Sequence, residues 1–95
     1  MSEITETLRV PSTHPALPGH FPGNPIVPGV VLLDRVAAAL EKSGARFARI
    51  GVVKFLTPLK PEENATLTIV RDGARVRFRV DRNGTPILRG EGELA

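Results

Sequence analysis

Apolar and polar positions alternate at the start of the chain. Ile4, Leu8 and Val10 fall on one side and Thr5, Thr7 and Arg9 on the other. A period of two predicts a strand over Ile4–Val10, although Glu6 breaks its apolar side. From Pro11 to Pro28 the pattern has no period. Six of the nine prolines fall in these 18 residues, with Gly19 and Gly23 between them. Proline fixes φ and removes a donor, so neither a regular helix nor a central strand fits. A connection this long in a compact domain is functional or disordered as a rule. Leu17, Phe21, Ile26 and Val27 argue for a packed, functional segment, and both histidines of the chain, His14 and His20, lie in it.

From Gly29 to Ser43 the period becomes helical. Pro28 suits the start of a helix, and Gly44 suits its left-handed end, with Lys42 favourable in the last turn. Val30, Val31, Leu32, Leu33, Val36, Ala37, Ala38, Ala39 and Leu40 leave almost no polar side, which predicts a buried helix. After Gly44 the period returns to two. Strands are expected over Arg46–Thr57, Ala65–Arg71, Ala74–Asp81 and Thr85–Leu94. Asp72-Gly73 and Asn83-Gly84 are two-residue hairpin signals. One helix buried against an antiparallel meander is an α+β architecture.

The length of 95 residues sets a single domain spanning 1–95. A chain of this size buries only about 60% of the surface its unfolded form exposes, so it gains from pairing with another copy. There is no cysteine and there are two histidines, which excludes disulfides and makes a structural zinc unexpected. No apolar run approaches the roughly 18 residues of a membrane span. The first residues do not read as a signal peptide, so a cytoplasmic location is expected. The formal net charge is +3 and the aromatics are four phenylalanines. This supplies no base-stacking platform, and nucleic acid is not an expected partner.

Asp34 is the residue out of place. Positions three and four away on the helix are Val31, Ala37, Val30 and Ala38, none of which can pair with it. A buried carboxylate needs a partner outside its helix, a cavity, or a proton. Otherwise Asp34 joins Arg35, Glu41 and Lys42 in a narrow exposed stripe. His20 has a similar alternative, as a satisfied surface residue in a Gly/Pro turn, and His14 is read that way. A neutral imidazole and a carboxylate across an apolar cleft suit proton abstraction beside a carbonyl. The developing enolate needs a donor, which a helix N-terminus at Gly29 and Val30 offers. Asp34, about one turn further along, is expected near the same cavity.

The run His20-Phe21-Pro22-Gly23-Asn24-Pro25-Ile26-Val27-Pro28-Gly29-Val30, followed by Leu33-Asp34, resembles the active-site motif of the bacterial fatty-acid 3-hydroxyacyl-carrier-protein dehydratases. The acid falls fourteen residues after the histidine. The resemblance implies the hotdog fold, a curved antiparallel sheet wrapped around one central helix. It implies a dimer with two active sites at the interface. His20 corresponds to the catalytic histidine and Asp34 to the acid, contributed by the partner subunit. The Gly29 N–H corresponds to the donor that polarises the thioester carbonyl, and the Ile26 carbonyl to the group that orients the histidine. Aspartate at the acid position looks like the dehydratase-isomerase branch. No metal or redox cofactor is implied, since the substrate arrives on the phosphopantetheine arm of an acyl carrier protein. Two departures stand out: a shorter segment before the motif, and Ala38 where the fatty-acid enzymes carry glutamine. The compact form is more similar to the dehydratase subunits of aryl-polyene pathways, where a hotdog subunit can pair with a different, degenerate one. Homodimer and hotdog heterodimer therefore both stay open.

The expected activity is removal of water from a 3-hydroxyacyl thioester to give the trans-2-enoyl thioester. The alternatives are another hotdog acyl-thioester enzyme, a thioesterase or an isomerase, and a non-catalytic or partner-dependent subunit of a heteromeric dehydratase. Arg75, Arg77 and Arg79 line one side of a predicted strand. They form a solvated outer face, or, with Arg82, an attraction for an acidic carrier protein.

Overall fold

The computed structural model describes residues 2–15, 17 and 25–95. Five strands and one helix follow in the order β1 (Ser2–Leu8), α1 (Gly29–Lys42), β2 (Phe47–Phe55), β3 (Ala65–Asp72), β4 (Arg75–Arg82) and β5 (Thr85–Leu94). All pairings are antiparallel and the sheet runs β1-β3-β4-β5-β2. The α+β expectation holds, and the arrangement is the hotdog fold: one curved sheet around one helix.

Both hairpins form, with one shift. Asn83 and Gly84 have φ of 50° and 81°, as a type I′ turn demands. In the first hairpin Asp72 remains in the strand and pairs with Arg75, so the turn falls on Gly73-Ala74. Gly73, at φ 62°, then takes the first central position, where only glycine enters the left-handed region freely.

The core lies between α1 and one face of the sheet. Val76, Phe78 and Val80 of β4 are buried, while Arg75, Arg77 and Arg79 point outward. Leu67 and Ile69 of β3 and Leu88 of β5 sit beside them. Ile87 is buried next to Leu88 because a register shift between Val80 and Asp81 breaks the alternation, which also bends the sheet there. Phe78 and Phe47 meet edge to face, with ring centroids 5.6 Å apart. They do so over glycines. A Cβ on Gly90 would strike the Phe78 ring, and one on Gly92 would lie 2.6 Å from the Arg49 carbonyl oxygen and 3.0 Å from Phe47.

Helix α1 is buried on one side only. Val31, Leu32, Val36, Ala39 and Leu40 face the sheet. Each large apolar side chain taken out of water there contributes about 1.5–3 kcal/mol. Val30 is 63% exposed, and Asp34 and Ala38 are exposed with it. The expectation of a helix buried all round is therefore corrected. A single sheet covers one face, and no second layer within the described residues covers the other. The helix ends as expected. Gly44 has φ 88°, its N–H donates to the Glu41 carbonyl, and Ala45 N–H donates to the Leu40 carbonyl. This is the paired bonding of a Schellman motif.

In the described part of the proline-rich segment Leu17 and Val27 are buried and Ile26 is half-buried, while Phe21, the other residue expected to pack, lies outside it. Val27 N–H donates to the Leu59 carbonyl at 2.8 Å, which fixes the approach to α1.

Candidate active site

The described part of the site is the N-terminal end of α1. Pro28 is its N-cap, in extended conformation, with no side-chain capping bond and no acidic residue in the first turn. Val31 N–H returns to the Pro28 carbonyl at 3.0 Å. The N–H groups of Gly29 and Val30 have no carbonyl within the helix to bond, and they carry the positive end of its dipole. With no carboxylate in the first turn to offset it, this end can receive a developing negative charge.

A pocket of about 520 Å³ opens at this end of the helix. Ile26, Gly29, Leu32, Phe55, Leu56 and Ile87 are among the residues lining it. Its volume lies within the range of small-molecule sites. Two sequence-predicted residues, Ile26 and Gly29, are thus brought together on one cavity. A larger hollow of about 760 Å³ on the outer face of the sheet touches neither Ile26, Gly29 nor Asp34.

His20, the expected base, lies outside the described residues, as does Phe21. The orienting role expected of the Ile26 carbonyl depends on His20 and is untested with it. His14, the other histidine, is half-buried, and its backbone forms part of a turn with Pro11 and Leu17.

Asp34 is exposed and does not line the Gly29 pocket of its own chain. Five helical residues turn it about 140° away from Gly29 and carry it about 7.5 Å along the axis. It shares a stripe with Val30 and Ala38, one turn to either side. The expectation that Asp34 reaches the same cavity is corrected for a single chain: the helix turns it away. Of the proposed exposed stripe, Glu41 and Lys42 are exposed and Arg35 is half-buried.

Sequence reasoning missed the exposed apolar surface beside this site. Ile50, Val52, Phe55 and Leu56 are 42%, 63%, 54% and 50% exposed. They were hidden in a stretch whose period of two reads simply as a strand with a buried side. No local signal says that β2 lies at the edge of the sheet.

Arg75, Arg77 and Arg79 form the expected outer basic face. It is broader than the sequence suggested, since Lys54 and Arg89 border the same hollow. It is also partly offset. Asp81 pairs with Arg79 at 3.2 Å and with Arg89 at 3.3 Å, and Glu91 approaches Arg75 at 3.8 Å. Arg82 is not part of it, being held at 3.0 Å by Glu63 and bonded to the Pro58 carbonyl. Among the described residues no group of three or more His, Cys, Asp or Glu side chains could hold a metal ion. No helix of the described chain is long and apolar enough to cross a membrane.

A family model described as ApeI-like, the ApeI dehydratase, matches residues 1–91. The chain belongs to the ApeI-like dehydratase family. The 3-hydroxyacyl-[acyl-carrier-protein] dehydratase FabZ of Thermomicrobium roseum is 35% identical over 91 residues, covering 85% of this chain and 59% of the relative. FabZ of Ehrlichia chaffeensis is 31% identical over 74 residues, covering 70% of this chain and 52% of the relative. The chain thus spans between half and three fifths of the length of these curated relatives. Among solved structures, a chain of the dehydratase heterocomplex ApeI:P from Xenorhabdus doucetiae superimposes with a TM-score of 0.86 at 31% identity, covering 98% of this chain and 87% of that one.

Proposed function

We propose that this ApeI-like chain is a hydro-lyase that removes water from a 3-hydroxyacyl thioester carried on acyl carrier protein. The observation that carries this reading is a coincidence. The HFPG histidine motif precedes, by five residues, an uncapped helix N-terminus, which opens on a largely apolar pocket. The thioester oxygen accepts the Gly29 N–H, which lowers the cost of making its α-carbon acidic. His20 takes the α-proton as general base, oriented by the Ile26 carbonyl. The C–O bond at the β-carbon breaks, and Asp34 positions or protonates the departing hydroxyl. The products are water and the trans-2-enoyl thioester. No metal or redox cofactor enters this scheme, since the pantetheine arm belongs to the carrier.

Asp34 reaches the reaction from a second subunit. Its direction away from the Gly29 pocket of its own chain supports this. So does the apolar β2 edge, whose unpaired backbone and exposed Ile50 and Val52 call for a covering strand. Pairing β2 with β2 of another hotdog subunit covers both, and brings the Asp34 of the partner subunit toward the Gly29 pocket.

The assay follows the conjugated enoyl thioester by absorbance from a 3-hydroxyacyl carrier-protein substrate. His20→Ala is expected to abolish turnover, and Asp34→Asn to reduce it at least about 100-fold, as for loss of an acid–base group. The two variants mixed and re-equilibrated should recover about a quarter of wild-type activity, because half the dimers are mixed and each has one intact site of two. Turnover by His20→Ala equal to wild type would reject the mechanism.

A second reading has one observation in its favour: the structural neighbour from Xenorhabdus doucetiae belongs to a heterocomplex. On that reading the chain needs a different hotdog partner. The purified chain would then be inactive, and its two variants would not complement each other.

A further inference from the structure

Phe55 closes β2, pairs with Leu88 of β5, and turns its ring toward the helix side of the sheet. A phenylalanine on that face is expected to be buried, as Phe78 is, yet Phe55 is 54% exposed. The ring is thus partly in contact and partly open. The contact is with the first residue of α1: a Cβ on Gly29 would lie 2.5 Å from Cε1 and 2.6 Å from Cζ of Phe55. The ring therefore rests against the backbone that presents the free Gly29 N–H. It fills the space a side chain at position 29 would occupy. Beyond it the wall of the pocket continues through Leu32, Leu56, Leu59 and Ile87.

We propose that Phe55 sets the acyl selectivity of this site. The inference rests on the proposed thioester function of the Gly29 pocket. A thioester whose carbonyl oxygen bonds the Gly29 N–H places its next carbons beside the ring. A short, unbranched acyl chain passes along the open side of the ring. A longer or branched chain meets the ring before it reaches the part of the pocket lined by Leu56 and Ile87. Gly29 serves this arrangement twice, since its N–H receives the oxygen and its missing Cβ admits the ring.

The test is binding, measured by calorimetry with 3-hydroxyacyl-pantetheine amides that cannot turn over, in a series of rising chain length. Wild type should favour short over long chains. Phe55→Ala should move the long-to-short affinity ratio toward long chains by at least about 10-fold, the effect of one or more methylenes in a fitted pocket. Phe55→Leu should fall between them. An unchanged ratio in a folded Phe55→Ala protein overturns the proposal, as does failure of the wild type to bind any amide. Amide binding with no dehydration in the enoyl assay would sink only the reading of this chain as a self-sufficient dehydratase, and the ratio would still decide the role of Phe55. The geometry has its own check. Gly29→Ala should lower the thermal midpoint, and Phe55→Ala in the same chain should restore most of the loss. No restoration would mean that the ring does not rest on Gly29, and the proposal would fall with it.

Discussion

The two edges of the sheet are built differently. β1 is the polar edge: Ser2, Glu3, Thr5 and Thr7 are exposed, and its inward side is covered. Even Glu6, which interrupts that inward side, is used. It lies half-buried at the rim and reaches Lys42 of α1 at 3.6 Å. β2 is the apolar edge, exposing Ile50, Val52 and Phe55, with Leu56 just beyond its end. Two register shifts leave it irregular against β5. A free edge with charges and small polar side chains resists added strands, while a long apolar one invites them. The comparison teaches where this small domain ends as a unit. It is finished along β1 and unfinished along β2, and the candidate site lies at the unfinished side.

The strongest way to break the comparison is to make β2 resemble β1. Ile50→Lys with Val52→Lys should separate the dimer proposed above. Each apolar side chain left exposed instead of covered forfeits about 1.5–3 kcal/mol. Together they should weaken association by at least about 100-fold, read by sedimentation velocity. On the proposed mechanism dehydration should fall with it, because each Gly29 pocket would lose the Asp34 of the partner subunit. Thr5→Lys on β1 is the matched control and should change neither. Equal dissociation by both edges would show that the difference in polarity has no bearing on assembly.

A smaller effect is expected from the layer that supports β2. Gly90 of β5 lies opposite Val53, and the Phe78 ring occupies the space beside it. Gly90→Ala forces that ring out of its edge-to-face contact with Phe47. Overpacking of this kind costs about 1–3 kcal/mol, measurable as a lower midpoint of urea unfolding. The strain falls on β4 and β5, against which β2 is held, so hydrogen exchange should rise in β2 before β1. Uniform loosening of both edges would show that β2 is no more dependent on this contact than β1.

Much of this was legible in the sequence. Patterns that depend on near neighbours read correctly: the hairpin at Asn83-Gly84, the helix stop at Gly44, and the alternation of Val76, Phe78 and Val80 with three arginines. The α+β architecture followed from them. The shifted hairpin at Gly73-Ala74 shows the grain of such reasoning, since one glycine can serve in either central position until strand register decides. What failed was the outer side of α1. Val30 and Ala38 are apolar in sequence, and burial was the natural reading; for Asp34 the sequence left burial and an exposed stripe both open, and the stripe is what forms. Whether a helix face is covered depends on how many layers the fold supplies, which no local pattern records. For the candidate site the sequence offered His20, Ile26, Gly29 and Asp34; the fold brings Ile26 and Gly29 onto one pocket, while His20 lies outside the described residues. The site was not legible in its geometry, because the turn of the helix sends Asp34 away from the pocket that Gly29 lines. Phe55 was missed because its partner, Gly29, is 26 residues away in sequence.

The gentlest probe concerns how the polar side of the molecule is closed. Where β1 ends, Glu62 gathers the chain. Its carboxylate accepts the Ser12 N–H at 2.7 Å and pairs with Arg9, while its own N–H donates to the Val10 carbonyl at 2.8 Å. Glu62 adopts φ 70°, a strained backbone for a residue with a side chain. The Ser12 N–H first, and Arg9 with it, hold the carboxyl below its ordinary value of 4.5. A carboxyl with a lowered folded-state pKa stabilises the fold above its unfolded value and loses that contribution as pH falls through the folded one. Glu62→Gln should therefore be slightly less stable than wild type at neutral pH, with the gap closing below about pH 4.5. The pair with Arg9 lies at the surface, so the gap should also shrink in salt. Thermal midpoints across an acid series, at low and high salt, measure both. A gap that persists unchanged at low pH would mean that the tether works through its shape rather than its charge. The β1 side would then be closed by backbone geometry, as the β2 side is left open by its absence.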